Sequence, residues 1–488
     1  MLLNKQNEYF LFDFQIKNVT LQKKYSYMEI NNIFNSNLTN SEQISKLKNK
    51  TVRIQKSWSE LLKEYDSTKH AVNDKNKRKD KRSKNKVEEV ARIHLDLEKL
   101  IVKRMVEFMF AIPVKRVYYG LEDDTEREAI IKAIEAVYKD NRIDTINTSR
   151  AKELLATCEM CTYWFKTEKD HNRYGFNTKT KLKSKIFSPM SGYRLYPLFD
   201  EFDNMVAMSI EYDVVNSDNK LETHFETYTD NKHIKWVGDE KVLDTDNPLK
   251  KIPFIYSFRN TPIWDGIQPI VQEIETILSN NSDIIAYNAS PILVVTGEFT
   301  GTEDKGNSKR IYRLSNGGNV SYATWQQSIE AIKYQIDMLL RLMWTIMQLP
   351  DMSFDNIKGL GSVSGKAMKT ILSDAHLKVG DEQGPFIEFF DREANVIKAY
   401  LSSLNPKWAG KIEQLDVEHV ITPFVQEDLL EQITIWQKSN GGKALMSQAE
   451  SIERLGLSKD PTATIEKIRE EEAQAAANNV LNLFERGE

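Results

Sequence analysis

The spacing of apolar positions divides this chain into stretches of helical and of strand character. Tyr9, Phe10, Phe12 and Phe14 alternate with polar residues and give way to an Asn-rich run, which predicts an arm over residues 1–40 rather than a domain. Apolar residues at helical spacing follow over 41–62 and again over 87–110, the second stretch with Val90, Ile93, Leu97, Leu100, Ile101, Met105 and Phe108. Between them KNKRKDKRSKNK, residues 75–86, carries eight basic side chains and one acid; it reads first as a solvated loop and only second as a phosphate contact. Helices are predicted over 123–138 and 148–164, and from Ile186 the period moves toward two. The runs YRLYPLF, MVAMSIEYDVV, ETHFETYT and HIKWVG, separated by the polar turns DEFDN, NSDNK and TDNK, predict an antiparallel meander. The strand KIPFIYSFRN closes it.

The helical period then returns. Ile267, Ile270, Val271, Ile274, Ile277 and Leu278 form one stripe flanked by Glu273 and Glu275, in a helix reaching about Ala289. ILVVTG, the polar turn TGTEDKGNSK, IYRL, the turn SNGGN and VSYATW make a small β-rich insertion. A second long helix follows with Ile329, Ile332, Ile336, Leu339, Leu340, Met343, Ile346 and Met347, stopped by Pro350. The Gly- and Ser-rich stretch to Gly365 reads as a loop, and a helical region runs from Lys366 to Leu404 with breaks expected at Gly380 and Gly384-Pro385. DVEHVITPF is a strand. In the helical C-terminal part Ser447 and Glu450 make a capping box, Gly456 ends that helix and Asp460-Pro461 starts the last one.

Composition changes this picture mainly by exclusion. At 488 residues, with 40% hydrophobic and 28% charged content, the chain is long enough for roughly three domains and is neither disordered nor collagen-like. A net charge of -4 provides no global field for gripping nucleic acid. Two cysteines cannot build a disulfide framework, so an intracellular origin is expected. The N-terminus lacks a signal-peptide pattern, and the most apolar helix, Ile336 to Leu349, is broken by Asp337 and Arg341, so no membrane span is expected.

The chemical motifs are equally negative. Cys158 and Cys161 have zinc-ribbon spacing, but no second pair exists to complete a tetrahedral site. None of the seven histidines stands at a ligand spacing. Gly301 to Gly306 has the gap of a phosphate-binding loop, yet Asn307 occupies the place of the essential Lys, and before Lys366 the two glycines, Gly361 and Gly365, stand too close together. No enzyme and no cofactor are predicted.

The order of parts is the specific signal. With ETYTDNKHIKWVG before KIPFIYSFRN, a long helix containing AYN, the strand ILVVTG, then QLPDMSFDN and SVSGKAMK, the chain resembles the portal proteins of tailed bacteriophages, specifically the long-tailed phages of Gram-positive type. The resemblance runs from about Val87 to the C-terminus. It implies an α+β portal fold: an arm over 1–40, a wing over 41–263, stem helices over 264–290 and 325–350, a clip over 291–324, a tunnel loop over 351–365, a wing helix and return strand over 366–424, and a crown over 425–488. It also implies a homo-oligomeric ring, usually a dodecamer, at one capsid vertex of the virion. Double-stranded DNA would pass through it during packaging and ejection, with terminase, a head-tail adaptor and the major capsid protein as partners.

Within that frame Ile329, Ile332, Ile336, Leu339 and Met343 are candidate stem contacts between copies, and Glu303, Asp304, Lys305, Lys309 and Arg310 candidate clip contacts. Lys358, Gly359, Gly361, Ser362, Ser364 and Gly365 are candidates to line the channel. Two helices of about 25 residues are each ~37 Å long, enough for a barrel wall once neighbouring copies cover their apolar faces. The competing reading is a DNA-processing enzyme or accessory protein that uses the basic loop 75–86 as a clamp.

Overall fold

A computed structural model describes residues 30–35, 37–50, 52, 54–83, 86–121, 125–288, 292–297, 299–305, 309–314, 319–323, 329–351, 370–424, 429–441, 444–456, 458 and 460–485. It mixes helices and antiparallel sheets in an α+β fold. Contacts group the chain into two units, Met1–Leu349 with Lys378–Pro423, and Pro350–Leu377 with Phe424–Glu488.

In the larger unit, helices α1 (Ile30–Asn35) and α2 (Asn40–Leu47) come first. Ile33, Ile44 and Leu47 bury against Phe225, Ile234 and Trp236, so the chain is packed from residue 30 and does not run free to residue 40. The single helix expected over 41–62 is two. Lys48 closes α2, and α3 (Trp58–Tyr65) starts afresh at Ser57, whose capping box with Glu60 satisfies the free amides of a new first turn. Next comes a short hairpin, β1 (Lys81–Ser83) and β2 (Lys86–Glu88), within the basic run. The expected helix 87–110 begins only at Leu97, as α4 (Leu97–Phe110), because Val90 and Ile93 lie on a segment whose amides are claimed by side chains of another helix, described below.

Strand β3 (Lys115–Tyr119) leads into α5 (Thr125–Asn141) and α6 (Ile143–Thr157). Helix α6 stops seven residues before the expected Trp164: Cys158 turns left-handed, with φ of 63°, and β4 (Glu159–His171) starts at once. The strand was hidden because its first four residues are all buried, which removes the alternation that marks a half-exposed strand. Strand β5 (Thr178–Phe187) pairs with it. The meander follows as β6 (Arg194–Phe199), β7 (Met205–Val215), β8 (Leu221–Tyr228), β9 (Lys232–Val237) and one further strand, β10 (Glu240–Asp246), in the order β10-β9-β8-β7-β6. Strand β11 (Phe254–Phe258) joins a three-stranded sheet ordered β11-β4-β5.

Helix α7 (Gln268–Asn288) then leads to strands β12 (Ile292–Thr296), β13 (Phe299–Lys305), β14 (Lys309–Leu314) and β15 (Asn319–Ala323), and helix α8 (Ile329–Met347) returns. The break in the long C-terminal helical region falls at Gln383, between α9 (Ser373–Glu382) and α10 (Gly384–Leu404), while Gly380 stays helical. Strand β16 (Asp416–Val420) pairs antiparallel with β3. At the end of β3, Gly120 has φ of 71°, and a Cβ there would sit 2.4 Å from the carbonyl oxygen of Gln414. Gly120→Ala is therefore expected to cost about 1–3 kcal/mol, read as a lower denaturant midpoint.

The smaller unit contains α11 (Leu429–Asn440), α12 (Gln448–Leu455) and α13 (Pro461–Glu485). The expected punctuation is there: Ser447 and Glu450 cap α12 reciprocally, and Gly456 ends it with φ of 66°.

Candidate functional site

The segment that carries the family resemblance most specifically is the helical pair α7 and α8 with the β insertion between them. The two helices pack against each other. Ile267, Val271 and Ile274 are buried at the start of α7, and Met343, Met347 and Leu349 at the end of α8, which roots the pair in the larger unit.

Helix α7 has a second row that is polar, buried at Glu275 and Ser279 and half-buried at Asp283. Glu275, Ser279 and Asp283 stand four residues apart and accept backbone N–H groups in antiparallel order: Leu95 to Glu275 Oε1 at 2.8 Å, Ile93 to Ser279 Oγ at 2.9 Å, Ala91 to Asp283 Oδ1 at 2.7 Å. Four helical residues rise ~6.0 Å and two extended residues span ~6.6 Å, so alternate amides of the passing segment meet successive turns of the helix. The helix acts as a strand edge. Arg78 fastens the other end, donating to Asp283 Oδ2 at 2.7 Å, Asn280 Oδ1 at 2.8 Å and the Ala91 carbonyl at 2.8 Å. Glu275 was expected at the flank of the apolar stripe; it lies within the buried face because it has these donors to satisfy.

His70 completes the clamp. Its Nδ1 donates to Glu275 Oε1 and its Nε2 to the Glu64 carbonyl, both at 2.7 Å, while Glu98 stands 3.9 Å away. Burial opposes the charge, but with an acceptor on each ring nitrogen and two carboxylates beside it the imidazolium wins, and the pKa rises to about 9. Burial pushes Glu98 up to about 7. One oxygen each of Glu98 and Glu275 has no hydrogen-bond partner.

Helix α8 is buried on one side only. Met343, expected to meet another copy, is fully covered by its own chain, and Ile332, Ile336 and Leu339 are half-covered, because this face turns inward. The side chain of Ile329 lies outside the described residues. The open face is a different one: Tyr334, Met338, Leu342 and Ile346 are 65%, 44%, 47% and 47% exposed, again at spacing four. Ile285 and Tyr287 are exposed near the end of α7. The sequence contained this row, but a stripe of apolar residues right round α8 hid which part would be left uncovered.

In the insertion, β12 pairs with β15 and β13 with β14. Glu303, Asp304 and Lys305 were expected in a polar turn but lie on β13, opposite Ile311, Arg310 and Lys309 of β14, since their backbone groups complete that ladder. Positions 301–305 and 309–310 are described by backbone alone. Lys358, Gly359, Gly361, Ser362, Ser364 and Gly365 lie outside the described residues. Burial pushes the Cys158 thiol up to about 12 and Cys161 well above its usual value, so both are inert packing groups. Among the described residues no cluster of His, Cys, Asp and Glu could hold a metal, and no helix is long and apolar enough to cross a membrane.

A helical pair rooted in an α+β unit, interrupted by a β-rich insertion and left open along one apolar face, defines a structural assembly subunit. The sequence profile described as "Phage portal protein, SPP1 Gp6-like" matches residues 17–478, and the chain belongs to that family. Two solved structures are similar: the neck of a native GTA particle computed with C12 symmetry, at 11% identity over 85% of this chain and 98% of that one, TM-score 0.42, and the neck of an empty GTA particle computed with C6 symmetry, at 12% identity over 81% and 93%, TM-score 0.38. None of the curated proteins matches this chain in sequence.

Proposed function

We propose that the chain assembles into a ring, a dodecamer, that forms the channel for double-stranded DNA at the portal vertex. Residues 41–263 would be its wing and residues 264–290 and 325–350 its stem. The clip, 291–324, would meet terminase and then the head-tail adaptor through Glu303, Asp304, Lys305, Lys309 and Arg310. The segment 351–365 would line the channel with Lys358 toward DNA, and 425–488 would form the crown. Contact with the major capsid protein would seat the ring in the shell.

The observation that carries this reading is the open row Tyr334, Met338, Leu342 and Ile346. From first to last it rises ~18 Å along the helix. A contiguous apolar strip of that length on a soluble subunit calls for a protein partner, and a helix face meeting a different face of the next copy closes into a ring. The test is light scattering and negative-stain imaging of wild type beside Met338→Glu/Leu342→Glu. Wild type is expected as rings with a central hole, and the variant as subunits with unchanged circular dichroism. A wild type that stays a folded monomer at micromolar concentration overturns the reading.

A further inference from the structure

We propose that residues 75–81 are a docking surface for the phosphate backbone of double-stranded DNA, separate from the channel. The structure sorts the charges of this basic run in a way the sequence does not show. Arg78 and Asp80 are turned inward: Arg78 is tied to Asp283, Asn280 and the Ala91 carbonyl, and Asp80 accepts from Arg92 Nη2 at 2.6 Å. Arg92 also donates to the Arg78 carbonyl at 2.8 Å. Asp74, just before the run, accepts the amide of Asn76 at 2.8 Å. Lys75, Lys77, Lys79 and Lys81 are left exposed, and none forms an ion pair with a described residue. On the return strand Glu88 lies opposite Lys81, and Asp80, already paired with Arg92, feels Lys75 without forming an ion pair with it, so the charge that no ion pair takes up belongs to Lys75, Lys77 and Lys79.

These lysines sit on a platform already held in place by α7, so presenting them to a partner costs little further ordering. The kind of partner follows from what is missing among the described residues here. Val72, the apolar residue beside the run, is buried, and no aromatic side chain lies within 74–81 to anchor a protein interface. A surface of point charges alone gains affinity from releasing the counterions of a polyelectrolyte and reads no bases. Duplex DNA, with one charge per ~1.7 Å, is the densest such partner that this protein's proposed role brings near.

A closed circular duplex has no end to thread, so its binding reports the outer surface and does not require a ring. Anisotropy of a labelled minicircle is followed against salt for wild type, Lys75→Gln/Lys77→Gln/Lys79→Gln, and the matching Lys→Arg triple. Wild type and the arginine triple are expected to bind two unrelated minicircle sequences equally. The glutamine triple should bind more weakly, with a log-log salt slope shallower by up to about 2.7. Unchanged affinity and slope in the glutamine triple overturn the proposal. So does a wild type that ignores the minicircle but binds polyglutamate, which would assign the surface to an acidic protein. Failure of ring formation would refute the proposed function and leave this result standing.

Discussion

Glu393→Ala is expected to lower the unfolding free energy of the larger unit by about 3–5 kcal/mol, one of the two largest effects foreseen for this chain. Glu393 on α10 and Arg150 on α6 are both 1% exposed and meet at 2.5 Å. The carboxylate also accepts from Trp164 Nε1 on β4 at 2.9 Å, and the guanidinium donates to Asn147 and Thr162 and lies over the Phe389 ring. Removing the carboxylate strands a cation where water cannot reach, and that loss exceeds the net worth of the pair itself. Arg150→Met/Glu393→Leu, which removes both charges, is expected to recover most of the stability. Urea midpoints of the two variants check the claim; equal losses in both would show that shape, not charge, governs this core.

Raising the pH from 6 to 9.5 is expected to free the segment 89–96 from helix α7. His70 holds its proton in the fold to about pH 9, and the unfolded chain releases it near 6.5; the stabilisation is complete below 6.5 and is lost as pH rises through 9. Glu98 works in the same direction, keeping its proton to about 7 against 4.5 in the unfolded chain. The facing groups are Glu275 from α7, Glu98 from α4 and Glu64 from α3, the last with its carboxylate already engaged by Lys56 and the Trp264 indole. Hydrogen exchange of the Ala91, Ile93 and Leu95 amides, corrected for intrinsic rate, should lose protection by up to about tenfold per pH unit above 6.5. His70→Gln should flatten the profile by removing the group that titrates there. A wild-type profile that is already flat would mean that His70 does not control the clamp.

Local patterns determined much of this molecule. Helices with their own caps, such as Gln448–Leu455 between Ser447 and Gly456, and strands whose burial alternates, such as Lys232–Val237, are legible because each signal lies within one turn or one alternation. The order of these parts also carried the family resemblance. What only the tertiary structure decided is where a side chain faces when its neighbours in space are distant in sequence. Glu159–His171 became a strand because two layers bury its start, erasing its period. Glu275, Ser279 and Asp283 became hydrogen-bond acceptors because a segment 180 to 192 residues away brings its amides to them. Met343 went inside and Leu342 stayed open although both are apolar neighbours on one helix, since a 100° step along that helix separates a covered face from an uncovered one, and only the packed chain says which is which.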